Sequence, residues 1–200
     1  LFLAGHETTA TALTWTFYLL AKYPEYQGKI RGQIEAVLQD RIPLHEDLAS
    51  LSMCQWVFEE SMRLYPPVWR LSRFAREKDE IQGYSVPQGS VILVTPYLIH
   101  RDPRYWEHPE IFEPERFSPE RADARQRLAY MPFGAGPRAC VGALFAMTEA
   151  QMILAVICRR IFFDLAPDHQ LVLEPRLLLR PQGGMPMSVH RVIEAAMPSQ

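Results

Sequence analysis

The stretch from Phe133 to Gly142 reads Phe-Gly-Ala-Gly-Pro-Arg-Ala-Cys-Val-Gly and runs into a helical pattern from Ala143 to about Arg160. Its chemistry is that of a metal-binding sulfur. Cys140 lies just before the helix start, where unsatisfied N–H groups and the positive end of the helix dipole favour the thiolate. Gly134, Gly136 and Gly142 remove side chains where the backbone must turn tightly and approach something flat, and Pro137 stiffens the turn. Arg138 adds a planar fork suited to a carboxylate or a phosphate.

A second stretch with chemical content is Ala4-Gly5-His6-Glu7-Thr8-Thr9. It puts Gly and two β-branched residues inside what otherwise reads as one helix, and local inconsistency of this kind marks functional sites. The His6-Glu7 step is not a zinc-protease motif, because Ala10 stands where the second His belongs.

Elements must hold these residues in place. Leu1 to about Lys22 is rich in helix formers and stops at Tyr23-Pro24, and Pro24 opens a second helix to about Gln39 with an apolar stripe through Tyr26, Ile30, Ile34, Val37 and Leu38. After a short helix near Leu44 to Ser50, Ser52-Met-Cys-Gln55 resembles a capping box and starts a helix that ends before Pro66-Pro67. Glu60 and Arg63 share a face of that helix, a spacing that by itself gives an ion pair worth about 0.2–0.5 kcal/mol. Val68 to Ala75 and Val91 to Thr95 read as strands, with Ile81 and Tyr84 to Val86 between them. The segment from Pro103 to Met131 is irregular and too long for a compact domain unless it has a role. The tail alternates in short strands, Leu171 to Leu173, Arg176 to Arg180 and Met187 to Arg191. The expected fold is mainly α with small β-sheets.

Phe-Gly-x-Gly-x-Arg-x-Cys-x-Gly is similar to the haem-binding signature of the cytochrome P450 family, and every fixed position matches. Three further matches occur in the family's order. Ala4 to Thr9 resembles the acid-Thr motif of the long helix over the distal haem face, Glu60-x-x-Arg63 resembles the Glu-x-x-Arg pair, and Pro114-Glu115-Arg116-Phe117 resembles the loop whose Arg joins that pair. The resemblance implies haem b with Cys140 as the axial ligand to iron. It puts Arg138 and Arg73 on the haem propionates, with Phe133, Gly134, Gly142, Ala4 and Gly5 around the ring. Ala4 and Gly5 would leave room for dioxygen, and Glu7 and Thr8 would carry protons to it. Glu60, Arg63 and Arg116 would form a buried structural clamp, one carboxylate held by two guanidinium groups. Val68, Trp69, Leu71 and Leu177 would border a substrate pocket.

Members of the family are longer, so residues 1–200 correspond to the C-terminal part of a single cytochrome P450 domain, and any membrane anchor would lie upstream. The implied reaction inserts one oxygen atom from O2 into an organic, apolar substrate. Electrons would come from a ferredoxin, a flavodoxin or a flavoprotein reductase, with Arg121, Arg125 and Arg127 forming either a basic docking face or a solvated charge run. Two rival readings are a haem-thiolate isomerase or dehydratase acting without reductant, and a non-catalytic haem-binding sensor. The Glu7-Thr8 pair argues against both, since neither needs a proton relay.

Composition narrows the rest. A hydrophobic share of 48% with 22% charged residues excludes disordered and collagen-like classes. The net charge of −2 gives no footprint for nucleic acid. Cys54, Cys140 and Cys158 are odd in number and widely spaced, which suggests neither a disulfide framework nor a Cys-x-x-Cys zinc site and fits a reducing, cytoplasmic compartment. No apolar run is long enough to span a bilayer.

Overall fold

Helix α1 (Phe2–Lys22) carries Trp15, Leu19 and Leu20 fully buried, and its threonines return their hydroxyls to the carbonyls four residues back, Thr8 to Ala4 at 2.6 Å and Thr16 to Ala12 at 2.9 Å. That local bonding lets hydroxyls sit inside a helix without unpaired donors. The computed structural model describes residues 2–122, 126 and 128–192. Helix α2 (Pro24–Leu38) buries Tyr26, Ile30, Ile34 and Leu38, the stripe its periodicity predicts. Each such side chain contributes about 1.5–3 kcal/mol when removed from water. Gln27, also fully buried, donates to the Leu20 and Phe163 carbonyls and accepts from the Phe163 N–H, all at 2.9 Å, so its amide staples α1, α2 and the strand at Phe163 together.

Helix α3 (Ser52–Leu64) begins without the expected capping box: Leu51 is the cap residue, and the Ser52 hydroxyl accepts instead from Gln33 at 3.1 Å, a tertiary partner that outcompetes the local one. Short helices α4 (Pro96–Ile99) and α5 (Pro119–Ala122) follow, then the long α6 (Ala143–Arg160). The segment from Pro103 to Met131 holds α5 and a 3₁₀ turn at Pro114–Phe117 among turns and bends. Helices α1, α2, α3 and α6 pack around one hydrophobic core.

Among the described residues, four two-stranded antiparallel sheets flank the helices. Strands β1 (Leu71–Phe74) and β4 (Val91–Val94) pair Leu71 with Val94 and Arg73 with Ile92; β2 (Asp79–Ile81) pairs with β3 (Tyr84–Val86). Alternation in β1 points Leu71 and Arg73 to one face and Ser72 and Phe74 to the other, where Phe74 is 71% exposed. Strand β5 (Ile161–Leu165), which the sequence reading did not assign, pairs with β8 (Met187–Arg191), and β6 (Leu173–Pro175) pairs with β7 (Leu179–Pro181). The expected strand over Arg176 to Arg180 is therefore mostly the turn between β6 and β7. The strand expected at Leu171 to Leu173 begins two residues later, at Leu173.

Candidate functional site

A cavity of about 370 Å³ lies between the first turns of α1 and the loop that precedes α6. One wall is Ala4, Gly5, Thr8 and Thr9 of α1; the opposite wall is Phe133, Gly134, Arg138, Cys140, Val141 and Gly142. Gly134 and Gly136 both have φ of +71°, so side chains there would be strained, and a Cβ at Gly142 would lie 3.9 Å from the Cys140 sulfur. The loop is pinned at its base: the Cys140 N–H donates to the Phe133 carbonyl at 2.9 Å and the Gly134 N–H to Met131 at 3.0 Å. Val68, Leu71 and Arg73 close a third side, with Phe58 and Met62 of α3 behind them.

Most of the residues singled out in the sequence are thus brought together, and three are not. Glu7 is absent from the cavity wall; its carboxylate accepts a hydrogen bond from Arg180 of β7. One residue further along α1, Thr8 is rotated by about 100° and faces the cavity. Trp69 turns its indole to the Arg176 carbonyl at 2.8 Å, and Leu177, 83% exposed in the β6–β7 turn, is not on the cavity wall. Phe58, Met62 and Phe145 line the cavity without having been anticipated; they are ordinary apolar positions in helices, and only the tertiary packing shows which way they face.

Glu60, Arg63 and Arg116 meet below this loop. Glu60 and Arg63 are fully buried and paired through two bonds, Nε to Oε2 at 2.6 Å and Nη2 to Oε1 at 2.8 Å. The three remaining N–H groups of Arg63 go to the carbonyls of His100, Pro109 and Ile111 at 2.7–3.1 Å, so all five donors of the guanidinium are used. Glu60 Oε1 also accepts the Glu113 N–H at 2.9 Å and lies 3.5 Å from Arg116 Nε. Burial pushes the Glu60 carboxyl up, opposed by Arg63, the Glu113 amide and Arg116. The same cluster reaches the base of the cavity loop: the Arg63 carbonyl is 3.3 Å from His100 Nδ1, and His100 Nε2 accepts the Met131 N–H at 2.9 Å. His100 has no sequence signal for this role beyond its place before the irregular segment.

A sequence profile described as Cytochrome P450 matches residues 1–187. The chain is 42% identical over 190 residues to human cytochrome P450 4V2, covering 94% of this chain and 36% of that protein. It is 40% identical over 179 residues to cyclooctatin synthase of Streptomyces melanosporofaciens, covering 90% of this chain and 39% of that one. The chain belongs to the cytochrome P450 family. The crystal structure of the cytochrome P450DA heme domain superposes with a TM-score of 0.90 at 27% identity, covering 96% of this chain and 43% of that one. The chain spans a little over a third of the length of the curated relatives it matches.

Cytochrome P450s bind haem b through a cysteine thiolate, and the cavity suits that group. It offers a sulfur on one wall facing the small residues Ala4 and Gly5 on the other, and apolar surface that stays accessible, Val141 being 90% exposed and Phe145 70%. At its edge are Arg73 and Arg138, which have no acidic partner among the described residues and match two carboxylates in number and sign. The other two thiols do not compete: Cys54 and Cys158 are buried in the core between α3 and α6, where burial pushes both up, Cys158 to about 12. Of the basic residues near α5, Arg121 is paired with Glu113 at 2.6 Å, while Arg125 and Arg127 lie outside the described residues. No helix among the described residues is long and apolar enough to cross a membrane.

Proposed function

We propose that this chain is the C-terminal, haem-binding part of a single cytochrome P450 domain, and that the whole protein is a monooxygenase inserting one oxygen atom from O2 into an apolar organic substrate. The observation that carries this reading is the cavity itself, in which Cys140, two guanidinium groups and the Ala4-Gly5-Thr8 face converge. When bound there, haem supplies thiolate-assisted activation of dioxygen, chemistry that belongs to the cofactor.

The chain's own residues hold, shape and supply protons. Cys140 is the ligand to iron, and Arg73 and Arg138 hold the two carboxylates. Ala4 and Gly5 keep the opposite face open because neither carries a side chain beyond Cβ. Thr8 presents a hydroxyl that donates its one O–H to the Ala4 carbonyl at 2.6 Å; turned from that carbonyl toward the cavity, the same O–H would donate to the reacting oxygen while a lone pair accepts from a water behind it. Phe58, Met62, Val68 and Leu71 exclude water and favour an apolar substrate. Trp69 and Leu177 belong to the outer rim of that pocket.

Electrons come from a ferredoxin, a flavodoxin or a flavoprotein reductase. The three cysteines are free thiols, which supports a reducing, cytoplasmic setting for this part of the protein. Thr8 on the cavity wall favours oxygen insertion over isomerisation, which needs no proton delivery. The experiment is product formation by the full-length protein with NADPH and a reductase system across a panel of apolar substrates. Turnover that needs reductant supports the reading, and turnover without reductant contradicts it.

A further inference from the structure

Resting on that monooxygenase reading, we infer that Arg180 is a positioning residue that works through Glu7, holding its carboxylate on the outer side of α1 while Thr8 faces the cavity. Arg180 Nη2 donates to Glu7 Oε1, and the two side chains are 42% and 50% exposed in this part of the protein, off the cavity wall. Acid and alcohol thus straddle the helix, one at the solvent and one at the site. Proton delivery then depends on where the acid is held.

The backbone that presents Arg180 is unusually fixed for a short strand. Leu179, its neighbour, is buried; its N–H donates to the Pro67 carbonyl at 2.9 Å and its carbonyl accepts from Trp15 Nε1 at 2.9 Å. Trp15 is fully buried, stacks on Tyr65 with ring centroids 4.4 Å apart, and lies on α1, the helix that carries Glu7. Eight residues of helix separate the two, about 12 Å, so α1 anchors the strand at one point and receives the arginine at another. Trp69 ties the far side of the same turn through the Arg176 carbonyl.

Charge pairing directs Arg180 toward Glu7. Its cross-strand neighbour is Glu174, the carboxylate an arginine in a two-stranded sheet would ordinarily take. Arg176 already holds Glu174 at 2.7 Å. With that acceptor committed, the Arg180 guanidinium reaches back to α1.

The test uses the full-length protein and the variants Arg180→Ala, Arg180→Lys, Glu7→Gln and Glu7→Gln with Arg180→Ala. Arg180→Ala should lower kcat roughly tenfold to a hundredfold, the scale of a displaced proton-transfer group, with KM little changed and more hydrogen peroxide per NADPH. Its ferrous carbonyl spectrum and melting temperature should match the parent, its crystal structure should show the Glu7 carboxylate displaced, and Arg180→Lys should recover most of the loss. In the Glu7→Gln background the second substitution should add nothing. Full coupling in Arg180→Ala, an unmoved carboxylate, or losses that multiply in the double variant would each overturn the positioning role and leave the monooxygenase reading standing. If Arg180→Ala does not load haem, Glu7→Gln decides, and parental coupling in that variant overturns the inference. Failure of the parent to form product with reductant, despite a thiolate-type carbonyl spectrum, would instead overturn the functional reading.

Discussion

His100 Nε2 accepts the backbone N–H of Met131 at 2.9 Å, which leaves Nδ1 to carry the ring proton toward the Arg63 carbonyl at 3.3 Å. This neutral imidazole joins the buried ion pair to the loop that carries Cys140. Burial pushes it down from 6.5 to about 3. The unfolded chain takes up a proton below about pH 6.5 and the folded chain does not until about pH 3. The contribution of His100 is therefore complete above pH 6.5 and is lost as pH falls through that window, at about 1.4 kcal/mol per pH unit. His100→Gln should flatten the stability profile between pH 6 and 4 by one proton's worth in urea melts; a slope equal to the parent's would show that the ring does not titrate this way.

Removing Arg63 strips two bonds from a fully buried carboxylate and leaves three carbonyls without donors. Arg63→Ala should cost about 3–5 kcal/mol and appear as lost haem incorporation. Arg63→Lys should rescue little, because an ammonium cannot reproduce the five-donor fork. A haem-replete Arg63→Ala protein that melts like its parent would contradict the structural role.

Thr8→Ala removes the alcohol of the acid-alcohol pair, the member that lies on the cavity wall. Proton transfer by a positioned group is worth about 10² to 10⁴-fold, so the variant should keep consuming NADPH while product falls and hydrogen peroxide rises. Unchanged coupling would mean that water alone carries the protons.

The helices and the cavity loop were legible because each carries a local signal: the apolar stripe of α2, the Pro stops after α1 and α3, the Gly-Pro-Arg-Cys spacing before α6. Family membership, too, is readable from four short motifs. What escaped was set by distant partners. The Ser52 hydroxyl looks like a cap from its own neighbours and is taken by Gln33; Glu7 looks like a cavity acid and is held by Arg180, 173 positions away. Strand β5 was missed because Ile161-Phe162-Phe163 continues the apolar pattern of α6, and only pairing with β8 turns it into a strand.

The outward face of the β1–β4 sheet exposes Phe74, Val91 and Leu93, and Leu144 is 79% exposed beside the cavity loop. Apolar surface in contiguous patches drives association. Expressed alone, residues 1–200 should bind hydrophobic dyes, self-associate and hold haem poorly. A monomer in sedimentation that melts cooperatively and loads haem would show that the chain is autonomous.

Ligation of iron by Cys140 is tested by the ferrous carbonyl spectrum of the full-length protein carrying Cys140→Ser, with Cys54→Ser and Cys158→Ser as controls. The strongly red-shifted Soret band of a thiolate-ligated haem should be present in the parent and both controls and absent in Cys140→Ser. Its persistence in Cys140→Ser would show that another residue ligates the iron.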